Sequence, residues 1–143
     1  MRTALYEQHL ALGAKIAEFA GWDMPIHYTG VVSEHQSVRH KAGLFDVSHM
    51  GRIFIEGNDA APFLDFLSTN TLLSKQSGTA TYTPWCDHNG GTVDDVIVYK
   101  KDETHFFVIV NAGNRAKDLD HIKKYAGKYS VNITDTFSRD GIL

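Results

Sequence analysis

The tripeptide Asn89-Gly90-Gly91 separates two segments rich in valine, threonine and aromatic residues. Both glycines accept positive φ, so it reads as a hairpin turn between strands Ala80–Trp85 and Thr92–Lys100. A second polar turn, Asp102-Glu103, leads into the apolar run His105–Val110. Three strands joined by such short turns imply antiparallel hairpins. Pro84 sits inside the first of them, where it interrupts hydrogen bonding.

Helical and extended signals surround this core. Leu5–Leu12 reads as a helix with Leu5, His9 and Leu12 on one side, ended by Gly13. Lys15–Phe19 reads as a strand leading into a loop, Gly21–Pro25. Val31–Ala42 reads as a polar helix stopped by Gly43, a residue suited to a left-handed cap. Leu44–Val47 and Gly51–Gly57 read as strands, the second with Ile53 and Ile55 on one face. Asn58 or Asp59 can cap a helix starting at Ala60 or Ala61. Pro62 costs little in that first turn, and Phe63, Leu64, Phe66 and Leu67 supply a buried stripe. Arg115–Ala126 reads as a helix with Leu119 and Ile122 inward, and Val131–Ile133 begins another strand. The expected class is α+β, with a mixed, largely antiparallel sheet and packed helices.

Composition limits the partners. The 143 residues carry a net charge of −3, with basic residues scattered, so neither nucleic acid nor an anionic membrane is an expected partner. Cys86 is the single cysteine, which excludes an internal disulfide and a thiolate metal cluster and fits a reducing compartment. His35 and His40 lie on different helix faces, so no metal site is expected. The apolar runs are far below a membrane span and the start lacks a secretory core, so a cytoplasmic location is expected.

Chemistry centres on Gly90–Tyr99. Two adjacent acids inside an apolar strand are unusual, because isolated carboxylates are costly to bury. Alternation sends Val93, Asp95, Ile97 and Tyr99 to one face and Asp94, Val96 and Val98 to the other. Either one acid meets a core or pocket, or both lie near the strand start and are satisfied by loop N–H groups or water. Asn111, at the end of His105–Val110, can hydrogen-bond a heterocycle or cap the next helix; Asn114 is well placed as that cap. Neighbouring Asp46, Ser48 and His49 make no triad by proximity in sequence.

Several ordered segments resemble the T-protein of the glycine cleavage system. They include Phe19-Ala20-Gly21-Trp22-Asp23-Met24-Pro25, Ala42 through Gly51, Gly90-Gly91-Thr92-Val93-Asp94-Asp95, and Val110-Asn111-Ala112-Gly113-Asn114-Arg115 with Lys117-Asp118. That resemblance implies an aminomethyltransferase, which passes a methylene group from an aminomethyl-lipoyl carrier, the H-protein, to tetrahydrofolate with release of ammonia. It implies that Asp95, rather than Asp94, contacts the pterin and assists chemistry at the folate nitrogens. A poorly hydrated setting among Val93, Ile97 and Tyr99 would strengthen that contact. By the same resemblance Tyr82, Tyr99 and Asn111 line the folate pocket, and Met50 sits near the channel for the lipoyl arm.

Family members are much longer, with a first domain that receives chain before and after the second. The resemblance therefore implies residues 1–52 as the start of the first domain, 53–136 as the second, and 137–143 as the start of the return. A chain of this length is expected to be inactive alone and open to self-association through an uncovered core. The alternative is a non-catalytic folate- or H-protein-binding module, and a related folate enzyme such as a demethylase is a third reading.

Overall fold

A computed structural model describes residues 1–139 and 141–143. It divides into two compact units, Met1–His49 with Asp140–Leu143, and Met50–Arg139. Asp140, within the expected return segment, lies outside the described residues.

The first unit contains helix α1 (Tyr6–Ala11), strands β1 (Lys15–Phe19) and β2 (Trp22–His27), and helix α2 (Val31–His40). The loop expected at Gly21–Pro25 is largely strand β2, paired antiparallel with β1. Alternation explains this, since Trp22 and Met24 are buried on one face while Pro25 sits in a two-stranded sheet that has no interior ladder for it to break. The strand expected at Leu44–Val47 is instead a loop, with Leu44 and Phe45 exposed. Gly43 is not left-handed; a Cβ there would meet Val38 Cγ2 at 2.6 Å.

Asp46 organises that loop. Its carboxylate accepts hydrogen bonds from Thr3 Oγ1 at 2.6 Å, His9 Nε2 at 2.9 Å and the Ser48 N–H at 2.9 Å. Burial alone would push Asp46 up, but the bonds from His9, Ser48 and Thr3 outweigh it and hold the carboxyl at about 2. A group lowered in the fold stabilises above its unfolded value and loses that contribution as pH falls through the folded one. The first unit is therefore expected to lose on the order of 1 kcal/mol between about pH 4 and pH 2, and Asp46→Asn to remove that step. Circular dichroism of urea unfolding at stepped pH reads this; identical acid profiles for both chains would contradict it.

The second unit is a two-layer α+β structure. Strands β3 (Gly51–Glu56), β4 (Thr79–Cys86), β5 (Thr92–Lys100), β6 (His105–Val110) and β7 (Asn132–Asp135) form one sheet in the order β4-β5-β6-β3-β7, every pair antiparallel. Helices α3 (Ala60–Leu67) and α4 (Arg115–Ala126) cover one face. Ile53, Ile55, Val96, Val98, Phe106 and Val108 meet Phe63, Leu64 and Ile122 there, all essentially without solvent contact. Each such side chain contributes on the order of 1.5–3 kcal/mol of burial. Phe66, expected in the α3 stripe, is exposed and packs edgewise on Tyr125.

Turn and cap chemistry departs from expectation in an instructive way. In the β4–β5 turn, Gly90 is left-handed at φ +82° and Gly91 is not, because the Asp87 carboxylate accepts the Asn89 and Gly91 N–H groups and sets the loop. Gly57 has φ +141°, and a Cβ there would lie 2.2 Å from the Ser130 carbonyl oxygen, so glycine alone fits. Asp59 and Asn114 occupy the N-cap positions of α3 and α4, yet neither side chain caps its helix. Asp59 instead accepts the Ser130 N–H at 2.7 Å. Pro84 is tolerated because β4 is an edge strand, and its carbonyl accepts the Thr69 N–H.

Candidate functional site on the outer face of the sheet

Residues paired across an antiparallel ladder share a face. On β5, Asp94, Val96, Val98 and Lys100 are buried on the helix side, while Asp95, Ile97 and Tyr99 turn outward. The two acids therefore have different environments and different partners.

Asp95 stands on the outer face. Tyr82 pairs with Ile97 across the β4–β5 ladder, and its hydroxyl reaches diagonally to donate to Asp95 Oδ2 at 2.6 Å. That hydrogen bond, followed by desolvation and then the charges of Asp95 and Asp94, pushes the Tyr82 phenol up, so it stays a donor at neutral pH. Asn111 Nδ2 lies 3.2 Å from Asp95 Oδ1 and 3.0 Å from the Asp95 carbonyl oxygen. The expected poorly hydrated setting is not found. Asp95 is exposed, because its apolar neighbours flank it along the strand rather than cover it.

Tyr99 shares this face but stands four residues along the strand from Asp95. Its ring lies 5.9 Å from Phe107, which lies 4.9 Å from Phe54, so three aromatic rings run across β5, β6 and β3. Met50 is half-buried and precedes Gly51, the ladder partner of Val110. It thus belongs to the sheet end that carries Asn111. The structure joins Tyr82, Asp95 and Asn111 by hydrogen bonds. Among the described residues, no hydrogen bond ties Tyr99 or Met50 to them.

Asp94 faces inward and is held tightly. Its carboxylate accepts the Asn111 backbone N–H at 3.0 Å, Asn111 Nδ2 at 3.0 Å and Asn114 Nδ2 at 2.5 Å. Burial would push its carboxyl up, but the donors of Asn111 and Asn114 outweigh that and lower it. Asp118, one helical turn after Asn114, has no solvent exposure, and no donor among the described residues reaches either of its oxygens. Burial first, then the hydrogen bond to Asp94 and that group's charge, pushes Asp118 up to about 8, against the pull of Lys117. That shift makes Asp118 the member of the pair favoured to keep its proton at neutral pH, from where it can donate to Asp94. From sequence Asn114 is expected only as a helix cap and Asp118 carries no role, although a signal existed: Asp118 is four residues before inward Ile122 and so shares its helix face.

The outer face combines hydrogen-bond acceptors with apolar and aromatic surface. A carboxylate fixed by two donors offers lone pairs to ligand N–H groups, and Ile97, Tyr99 and Phe107 provide apolar and aromatic surface on the same face. A separate groove of about 560 Å³ in the first unit, lined by Tyr28, Val31, Val38, Leu44 and Phe45, contains none of the expected site residues. Among the described residues no His, Cys, Asp or Glu group has a metal-binding arrangement, and no helix is long and apolar enough to cross a membrane.

Comparison with known proteins gives a consistent result. The family model of the GCVT N-terminal domain matches residues 5–142. An aminomethyltransferase of Rubrobacter xylanophilus is 49% identical over 134 residues, covering 94% of this chain and 36% of that protein. An aminomethyltransferase of Desulfitobacterium hafniense is 46% identical over 132 residues, covering 92% and 36%. The crystal structure of glycine cleavage system aminomethyltransferase T from Bartonella henselae superposes with a TM-score of 0.89 at 35% identity, covering 94% of this chain and 38% of that one. The chain thus spans little more than a third of the length of these relatives.

Proposed function

Because the chain belongs to the GCVT N-terminal domain family, we propose that the outer face around Asp95 binds the pterin ring of tetrahydrofolate. The observation that carries this reading is the Tyr82–Asp95–Asn111 hydrogen-bonded set beside the aromatic row on an open sheet face. Tetrahydrofolate supplies a nitrogen nucleophile that accepts a one-carbon unit. The residues of this chain hold and orient it. Asp95 accepts hydrogen bonds from ring N–H groups and stabilises positive charge developing at a nitrogen. Tyr82 and Asn111 fix the carboxylate so that it need not reorganise. Tyr99 offers its ring to the ligand's flat face.

The reaction proposed for the complete protein is methylene transfer from an aminomethyl-lipoyl H-protein to tetrahydrofolate, with ammonia released. Met50, at the sheet end bearing Asn111, is assigned to the approach of the lipoyl arm. The two units are read as parts of the first two domains of the longer relatives, and the cytoplasm as the place of action.

Calorimetric titration of tetrahydrofolate into wild type and Asp95→Asn tests the reading. A charged hydrogen bond at the ring predicts a loss of between about ten- and a hundredfold in affinity. Equal affinities would remove Asp95 from the site.

A further inference from the structure

We propose that Asp118, on α4, is a positioning residue for the Asp95–Tyr82 pair, acting through Asp94 and Asn111. This rests on the reading of Asp95 above: hydrogen bonds run from Asp94 through Asn111 to the outer face, and Asp118, buried on α4, interacts with Asp94.

Asn111 has two amide hydrogens and three acceptors. Asp94 Oδ1 lies at 3.0 Å, the Asp95 carbonyl oxygen at 3.0 Å and Asp95 Oδ1 at 3.2 Å. One hydrogen goes to Asp94, and the other is shared between the two Asp95 oxygens. The orientation of the amide is therefore set by the inner acid, and it decides what the outer acid receives. Asp94 must in turn stay where it is. Its donors are Asn111 and Asn114, and Asp118, both of whose oxygens are buried without a donor, interacts with it from α4.

The start of α4 is itself anchored. Arg115 pairs with Asp135 of β7 and lies 4.2 Å over the Phe137 ring, which places Asn114 and Asp118 relative to the sheet. The charged groups acting on Asp118 are Asp94 and Asp95 from β5 and Lys117 from α4. A proton on Asp118 makes it a donor to Asp94. Its loss puts two like charges side by side, which moves Asp94 and releases Asn111.

Three chains separate positioning from simple support: wild type, Asp118→Asn, whose amide still donates, and Asp118→Leu, which cannot. The first readout is the Asn111 side-chain amide pair in nitrogen–proton NMR spectra from pH 6 to pH 10; the second is tetrahydrofolate affinity. In wild type the Asn111 signals are expected to move with a midpoint near pH 8. Asp118→Asn keeps the neutral-pH positions and removes the midpoint. Asp118→Leu is displaced throughout and binds roughly tenfold more weakly, the order of one lost hydrogen bond. Asn111 signals insensitive to both substitutions and to pH would overturn the proposal, even with Asp95-dependent binding intact. If no chain binds tetrahydrofolate while the Asn111 signals respond as described, positioning of Asp95 stands and the folate reading falls.

Discussion

Replacing Asp94 with alanine is expected to destabilise the Met50–Arg139 unit by about 3 kcal/mol. The carboxylate is the shared acceptor of the Asn111 N–H, Asn111 Nδ2 and Asn114 Nδ2. Each donor left buried without a partner costs roughly 1–3 kcal/mol, so the sum could exceed the expected total. Two effects reduce it. Water can enter the space of the lost carboxylate, and Asp118 is relieved of the charge that helps to push it up. Asp94→Asn should cost less, because its amide oxygen still accepts. Urea unfolding reads the effect as a lowered midpoint at unchanged slope. A cost below about 1 kcal/mol would mean that the clamp does not hold the sheet end.

Asp118→Asn is expected to act in the opposite direction, and only above mildly acid pH. Asp118 is pushed up to about 8 in the fold, whereas an unfolded aspartate titrates near 3.9. Between those values the folded chain holds a proton that the unfolded chain has released, so wild-type stability falls as pH rises. The contribution is fully present below about pH 4 and lost once pH has passed 8. Asparagine does not titrate and its amide can donate to Asp94. The variant should match wild type at pH 4 and exceed it by on the order of 2 kcal/mol at pH 8. Parallel stability curves across that range would show that Asp118 is not the protonated member of the pair.

Local chemistry made much of the second unit legible from sequence. β5, β6 and α4 fall on the residues expected from alternation, turn signals and helical spacing. The family resemblance is matched by the GCVT N-terminal domain model over residues 5–142. The misses share a cause. Asp59 and Asn114 stand at cap positions, but tertiary partners, the Ser130 N–H and the Asp94 carboxylate, took their side chains. Leu44–Val47 has strand-like residues without a partner strand, and Asp46 organises it as a loop through Thr3 and His9, more than thirty residues away in sequence. β2 was obscured by Pro25 and the preceding glycine, although Trp22 and Met24 carried the alternation. At the site, parity separated Asp94 from Asp95. The hydration of Asp95 and the buried acid behind Asp94 depend on packing that no single strand reveals.

Tetrahydrofolate binding on the outer face is read by a map of ligand-induced shifts in the nitrogen–proton spectrum of the wild-type chain. Saturable shifts are expected at Tyr82, Asp95, Ile97, Tyr99 and Asn111, with the buried helix side of the sheet little changed. Shifts confined to other residues, or none up to about millimolar ligand, would contradict it.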